Sequence, residues 1–317
     1  ILAVLPFFHV YGLTVAMNLA VVTGGTLVLM PRFDASELVD ALEKERPDNF
    51  PGTPTMYVAV LREAERRKVD LSSVRACISG SAPLPLEVQT AFEAKTGGRL
   101  VEGYGLTEAS PVTHANPLTD KRKNGTIGLP LPDTEAQVVA DDGRILGPGE
   151  GPGELWVRGP QVMKGYWRRP EATREVLTPD GWLKTGDVAT VDEDGHFAIV
   201  DRKKDIIIAG GFNIYPREIE EVLLTHPKVA EVAAFGVPDP YRGQTVKAAV
   251  VPAAGEAPSA EELTAYLDSR LARYKIPKLF EFRSELPKST IGKTLRRTLL
   301  EEHLNREAGA GGVDATM

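Results

Sequence analysis

The texture of the chain changes near residue 131, and that change constrains most of what it can fold into. Over residues 1–130, short apolar runs alternate with segments of helical period. From about 131 to 200 the helical period is lost, and short β-rich runs follow one another between turn signals such as Asp141-Asp142-Gly143 and Asp192–Gly195. Strand alternating with helix favours a largely parallel sheet covered by helices. Closely spaced strands between turns favour a small antiparallel subdomain. A charged connector at 201–205 then leads into a compact region where strand and helix return. The expected fold class is therefore α/β. A partial large N-terminal domain over 1–201 combines a parallel α/β sheet (1–130) with a small β subdomain (131–201). A small α+β C-terminal domain covers 202–305, and a polar, glycine-rich tail over 306–317 is expected to be disordered.

Local signals place the elements. Helices are expected at 12–22, at 36–45 with Ser36 as cap, at 53–68 opened by Pro54, and at 86–96, 216–224, 260–271 and 295–304. Strands are expected at 26–29, 76–79, 100–104, 135–139, 153–157, 196–200, 206–208, 229–235 and 245–251. The run Gly147-Pro148-Gly149-Glu150-Gly151-Pro152-Gly153 is rich in glycine, but its prolines and the absence of a following helix make it a turn, not a phosphate cradle.

Composition narrows the function classes. A net charge of −7 argues against a general nucleic-acid binder, which needs a basic surface. The one cysteine, Cys77, lies in an apolar run and reads as a buried strand residue in a protein of a reducing compartment. No CxxC or histidine cluster indicates zinc. The opening thirty residues are apolar, but Pro6, His9 and Gly24-Gly25 interrupt them, whereas a membrane span needs roughly 20 uninterrupted apolar residues. The chain opens at Ile1, inside an apolar element and without a methionine, so it is expected to be the back portion of a longer enzyme.

Two segments carry candidate chemistry. Tyr104-Gly105-Leu106-Thr107-Glu108 offers a hydroxyl and a carboxylate next to glycine; Leu286-Pro287-Lys288-Ser289-Thr290-Ile291-Gly292-Lys293 ends in a lysine on a glycine-flanked loop. Together they supply a Mg²⁺ ligand, a donor for a phosphate oxygen and a mobile cation, the groups needed for chemistry at a nucleotide phosphate. Each also has a plainer reading: Thr-Glu can open a helix, and a lysine in a turn is usually just solvated.

In sum the chain resembles the adenylate-forming superfamily of acyl-CoA synthetases, luciferases and carrier-protein adenylation domains, and within it the bacterial long-chain fatty-acid–CoA ligases. The resemblance covers about residues 1–305 and rests on motifs in family order: LPFFHVYG at 5–12, SGSAPLP at 79–85, EGYGLTEASPVTHANP at 102–117, GELWVRGPQVMKGYW at 153–167, GWLKTGDVA at 181–189, VDRKKDIIIAGGFNIYPREIE at 200–220, GVPDPYRGQTVKA at 236–248, YKIPK at 274–278 and LPKSTIGKTLRR at 286–297. The family's Ser/Thr/Gly-rich phosphate loop does not occur here; its position would lie before Ile1.

The resemblance implies a two-step reaction. A fatty acid attacks the α-phosphate of ATP to give an acyl-adenylate and pyrophosphate, and coenzyme A then displaces AMP. It assigns Glu108 to Mg²⁺ and Thr107 to a phosphate oxygen. Tyr104 would stack on adenine, with Gly80, Ser81 and Ala82 as the opposite wall and Gly103 and Gly105 shaping the mouth. Asp187 would take the ribose hydroxyls and Arg202 the ribose or phosphate. Lys293 would bridge carboxylate and α-phosphate, Lys204 would be the hinge, Gly210 and Gly211 would border the coenzyme A channel, and His9 would border the acyl pocket. Taken singly, most have structural alternatives: a core aromatic for Tyr104, a turn cap for Asp187, a glycine turn at Gly210-Gly211, a solvated charge run at Arg202-Lys203-Lys204 and a satisfied core histidine for His9. Partners implied are fatty acid, ATP and coenzyme A, with no nucleic acid and no transmembrane segment; the location implied is cytoplasmic, with peripheral membrane contact and oligomeric state left open. Three other readings stay open: an adenylating enzyme that loads a carrier protein, a ligase for aryl or short-chain acids, and a truncated product without activity.

Overall fold

The computed structural model describes residues 1–255, 257–289 and 292–310. The chain forms two compact units, Ile1–Ile199 and Val200–Met317.

In the first unit, strand β1 (Leu2–Ala3) is followed by a π-helical turn, Gly12–Asn18, and helix α1 (Leu19–Thr23). The single helix expected at 12–22 is thus divided, and the irregular part begins where a side chain at Gly12 would press on the Pro6 carbonyl oxygen at 2.7 Å. Strand β2 (Val28–Leu29) pairs parallel with β1. Helix α2 (Ala35–Glu45) is capped by Asp34, whose Oδ1 accepts the backbone N–H of Ser36 and of Glu37, each at 2.9 Å. Ser36 is therefore not the cap: Asp34 is extended, the backbone conformation that lets its carboxylate cover the first-turn amides. Helix α3 (Pro54–Arg67), strand β3 (Ala76–Ser79), helix α4 (Leu86–Thr96) and strand β4 (Arg99–Gly105) follow. Strands β3 and β4 pair parallel, with Ser79 opposite Glu102. Asn49 and Gly52 bridge to β3, and Asn49 accepts the Leu2 amide at 2.9 Å, which links β1 to the same layer. Beyond β4 the sheet departs from parallel pairing. Strands β5 (Val112–Ala115) and β6 (Leu129–Pro130) add antiparallel, because the six-residue return after Gly105 is too short for a crossover.

The core beside this sheet is aromatic. Tyr57 is fully buried between Phe50 and Phe92, edge-on to both at 5.2 and 4.9 Å, and its hydroxyl donates to the carbonyls of Phe50 and Ile78. A buried tyrosine is tolerated only when its O–H is paired, as here. Cys77 lies in this core, and burial pushes its thiol up to about 12, so it is a packing residue at neutral pH.

The β-rich portion is a five-stranded sheet. In chain order its strands are β7 (Glu135–Val139), β8 (Ile145–Leu146), β9 (Gly153–Arg158), β10 (Leu183–Val191) and β11 (Phe197–Arg202), arranged β11-β10-β9-β7-β8. Strands β7 to β10 pair antiparallel. A short helix, α5 (Pro170–Val176), precedes β10. Leu155, Val157, Leu183, Ala189 and Phe197 form its buried face, the alternate positions of the strands.

In the second unit, a 3₁₀ turn (Lys203–Asp205) leads to strands β12 (Ile207–Ala209) and β13 (Phe212–Ile214), helix α6 (Pro216–Leu224), strands β14 (Val229–Asp239) and β15 (Gly243–Pro252), helix α7 (Ala260–Asp268), strand β16 (Leu279–Phe282) and helix α8 (Arg296–Ala310). The long β14–β15 pair is antiparallel, β12 joins β15, and β16 runs parallel to β15. Helix α7 opens with a capping serine: Ser259 Oγ accepts the Glu262 amide at 3.1 Å. Ile219, Leu223, Leu263 and Leu267 bury the inner faces of α6 and α7 against the sheet. The tail expected from residue 306 is helical as far as Ala310; the rest of it lies outside the described residues. No helix among the described residues is long and apolar enough to cross a membrane.

Candidate active site

The parallel register of β3 and β4 brings two of the expected loops to one end of the sheet. Ser79 lies opposite Glu102; beyond this pair Gly80–Ala82 leave β3, while Gly103–Gly105 finish β4 against β5 before the chain turns into Thr107 and Glu108 at the same carboxyl end. In open α/β sheets this edge is where ligands bind. Glu102 ties the loops together, since its Oε2 accepts the Leu84 amide at 3.0 Å. Ser81 and Ala82 are exposed, and Ser81 holds a left-handed backbone at φ 70°.

At this edge three glycines are required by packing. A Cβ on Gly80 would meet the Tyr11 ring at 3.1 Å, where the Tyr11 hydroxyl donates to the carbonyls of Ile78 (2.5 Å) and Gly52 (3.2 Å). One on Gly103 would meet Ile78 at 2.8 Å, and one on Gly105 would overlap the Pro111 carbonyl. A ring, an aliphatic side chain and a backbone carbonyl lying close against them account for all three without a ligand.

Tyr104 and Asp187, 83 residues apart, meet: the Tyr104 hydroxyl donates to Asp187 Oδ2 at 2.5 Å. Asp187 is buried at the middle of β10, where the register between Lys184 and Val188 is irregular. Behind Tyr104, the ring of His114 stands edge-on at 6.1 Å and meets Phe197 at 4.8 Å. His114 Nδ1 shares a hydrogen bond with Thr113 Oγ1, while Nε2 is buried without a partner. Burial lowers the His114 pKa to about 3, so the ring is neutral at physiological pH.

Thr107 and Glu108 lie on a single 3₁₀ turn, Thr107–Ala109, and do not open a longer helix. The Glu108 carboxylate is half-buried and oriented: its Oε1 accepts the Tyr166 hydroxyl at 2.8 Å, and its backbone carbonyl accepts the Met163 amide at 2.7 Å. Burial, then the hydrogen bond to Glu108 and its charge, push the Tyr166 phenol up to about 12. Among the described residues no group of three or more His, Cys, Asp or Glu side chains could hold a metal. One oriented carboxylate fits Mg²⁺ of the kind that keeps several waters and takes its other ligands from substrate phosphates.

His9 precedes the π-helical turn. Its Nδ1 accepts the Tyr11 amide at 3.2 Å, so the neutral ring carries its proton on Nε2, and burial lowers its pKa. The turn after it reaches the Glu108 loop through Thr14, whose hydroxyl donates to the Ser110 carbonyl at 3.4 Å.

The remaining expected residues belong to the second unit. Arg202 ends β11, with its amide donating to the buried Asp201 at 2.7 Å; Asp201 also accepts the Arg217 amide at 2.8 Å and so caps α6. Lys204 is exposed on the 3₁₀ turn. Gly210 and Gly211 form the β12–β13 turn with φ of 60° and 84°, the geometry of a two-residue hairpin loop that favours glycine at both positions. Lys293 sits on a loop closed upon itself. Lys288 bridges Thr294, the Ser289 amide donates to the Lys293 carbonyl at 2.8 Å, and the Lys293 amide donates to Ser289 Oγ at 3.2 Å. Thr290 and Ile291 of this loop lie outside the described residues.

Sequence reasoning gave Tyr166 no role, although it stands in the quoted MKGYW motif. Its contact with Glu108 spans 58 residues and leaves no local signal. The same holds for Asp205, Glu220 and Arg296, which meet in the second unit.

The open-sheet edge places the first unit among α/β proteins of the ligand-binding type, and two family models define it further. The model of the AMP-binding enzyme matches residues 1–167, and that of the AMP-binding enzyme C-terminal domain matches residues 218–293. The chain belongs to the AMP-binding enzyme family. It is 55% identical over 303 residues to a long-chain-fatty-acid–CoA ligase of Bacillus subtilis, covering 95% of this chain and 54% of that protein. It is 45% identical over 292 residues to a feruloyl-CoA synthase of an Amycolatopsis species, covering 92% and 59%. Among solved structures, ATP-bound MatB from Rhodopseudomonas palustris superposes with a TM-score of 0.89 at 36% identity, covering 95% of this chain and 59% of that one. The chain spans about half the length of the curated relatives it matches.

Proposed function

We propose that this chain is the part of a fatty acyl-CoA ligase that carries its adenylate site and its C-terminal domain. Residues 1–201 would be the adenylate-binding portion and 202–305 the mobile domain. In the first step a carboxylate oxygen of the acid forms a bond to the α-phosphorus of ATP, and the bond to the bridging β-phosphate oxygen breaks to release pyrophosphate. In the second, the coenzyme A thiolate attacks the acyl carbon, a thioester forms, and AMP leaves with the former carboxylate oxygen. Adenylation is needed because AMP is a far better leaving group than hydroxide.

The single observation that carries the reading is the meeting of Tyr104 and Asp187 at the sheet edge that also bears Gly80–Ala82 and Glu108. An aromatic face with a carboxylate at its rim suits a nucleoside: the ring takes adenine and the carboxylate can accept from vicinal ribose hydroxyls. Glu108, steadied by Tyr166, would hold Mg²⁺, which offsets the negative charge of the triphosphate as the carboxylate approaches. Thr107 would donate to a phosphate oxygen. Lys293 would place a compact cation between carboxylate and α-phosphate, with Arg202 on the ribose or phosphate. Each step draws on a different loop of the second unit: the Lys293 loop for adenylation and the Gly210–Gly211 turn for thioester formation, with Lys204 as the pivot. His9, neutral and near the start of the chain, would border the acyl group. The single buried cysteine fits a cytoplasmic setting.

A second reading, a ligase for aromatic acids, is supported by the 45% identity to a feruloyl-CoA synthase. Acid-dependent pyrophosphate release from ATP and Mg²⁺ separates the two. The full-length protein is given acids from acetate through palmitate, with 4-coumarate and ferulate, each with and without coenzyme A. Turnover that rises with chain length and needs coenzyme A for sustained product establishes the fatty acyl-CoA ligase. Preference for coumarate or ferulate establishes the aryl ligase, and tight adenylate retention with no thioester points to carrier loading.

A further inference from the structure

We propose that Arg296 is a positioning residue that clamps the hinge connector and the Lys293 loop into one body. Arg296 opens α8, three residues after Lys293. Its Nη2 donates to both Glu220 oxygens at 2.8 and 2.7 Å, its Nε adds a third contact at 3.2 Å, and its Nη1 donates to Asp205 Oδ2 at 3.2 Å. The three side chains are only 15–22% exposed. Glu220 is fixed in turn, because its Oε1 accepts the Ala234 amide of β14 at 2.8 Å. Asp205 is the last residue of the 3₁₀ turn that holds Lys204. One guanidinium thus joins the connector, helix α6 and the stem of the Lys293 loop.

The loop's own hydrogen bonds set its shape; its start is held by buried Leu286 and by Lys288, whose Nζ donates to Glu231 of β14 at 2.6 Å, and its far end by Arg296. Its closure runs between residues 287–289 and 293–295, so releasing Arg296 frees the stem that follows Lys293. The forked, planar donor set of arginine can hold two carboxylates at fixed angles; an ammonium cannot. Burial pushes the Glu220 carboxyl upward, and the Arg296 charge and hydrogen bonds oppose that shift. A plain stabilising ion pair would need no partner at the connector. Asp205 is the connector residue that Arg296 itself holds, beside the separate tie of Asp201 to the Arg217 amide.

The catalytic consequence rests on the ligase reading above; the mechanical one does not. The test uses full-length Asp205→Asn and Arg296→Lys proteins. Asp205→Asn leaves the Glu220–Arg296 pair in place and guards against simple misfolding. Hydrogen exchange by mass spectrometry is followed in residues 201–207 and 292–299, alongside both half-reactions. The clamp predicts that protection falls in both segments together. It also predicts that pyrophosphate release drops roughly tenfold or more, while thioester formation from supplied acyl-adenylate stays within about twofold, since only adenylation needs Lys293 in place. Loss of protection confined to 201–207, or parallel loss of both half-reactions, overturns it. If the wild-type protein releases no pyrophosphate with any acid, the ligase reading falls, and the exchange data still decide the clamp.

Discussion

Glu108, the proposed Mg²⁺ ligand, is a single carboxylate, and what distinguishes it from an ordinary surface glutamate is the Tyr166 hydroxyl on its Oε1. A hydrogen bond to a charged acceptor contributes about 1.5–3 kcal/mol. Tyr166→Phe keeps the ring and removes the bond, so the Mg²⁺ concentration for half-maximal pyrophosphate release should rise about tenfold, with near-normal rates at saturating Mg²⁺. A loss that excess Mg²⁺ cannot rescue would remove the orienting role. At this scale residue types and order were readable, since motif strings name Tyr104, Glu108, Asp187 and Lys293 directly. Contacts were not. The Tyr104–Asp187 and Glu108–Tyr166 bonds span 83 and 58 residues, and nothing local encodes either.

Elements that owe their form to local chemistry were legible to the residue. Ala76–Ser79, Leu86–Thr96, Glu135–Val139 and Pro216–Leu224 fall where apolar runs and proline-marked starts place them. Elements that exist because a partner strand is present were not. Leu129–Pro130 and Ile145–Leu146 are two-residue strands held by their neighbours, and Leu183–Val191 carries Gly186 and a register irregularity that break its alternation. The cap of Ala35–Glu45 was misplaced because Asp34 and Ser36 are both good caps, and only backbone angles choose between them. The element most sensitive to substitution is the turn after β4. Gly105→Ala forces a methyl group into the Pro111 carbonyl, and overpacking of this kind costs about 1–3 kcal/mol. Urea unfolding should show that loss, and pyrophosphate release should fall because the displaced segment carries Thr107 and Glu108. An unchanged midpoint would mean the turn is looser than its packing implies.

For the molecule as a whole, the buried clusters divide cleanly: Leu38, Tyr57 and Phe92 or Leu155 and Phe197 in the first unit, Ile219, Leu263 and Leu299 in the second. Stability against acid should therefore differ between the units, and His114 lies only in the first. Its pKa is depressed by burial from 6.5 to about 3 in the fold. The unfolded chain binds the proton first, so the His114 contribution is fully present above pH 6.5 and is lost progressively as pH falls toward 3. Calorimetry between pH 7 and pH 4.5 should show His114→Gln flattening the acid loss of the first unit's transition while leaving the second unit's unchanged. Equal slopes in wild type and variant would mean that the ring gains a partner on protonation.

The parallel register of β3 and β4 has a consequence for how such a protein can be altered. The strands hold one another through backbone groups as far as Ser79 and Glu102, whereas residues 81–82 and 106–108 lie outside the named strands, beyond the ladder that carries them. Scaffold and vocabulary are thus written in adjacent but separate stretches. A library confined to 81–82 and 106–108 rewrites what the edge recognises while leaving the ladder that carries it unread and unchanged.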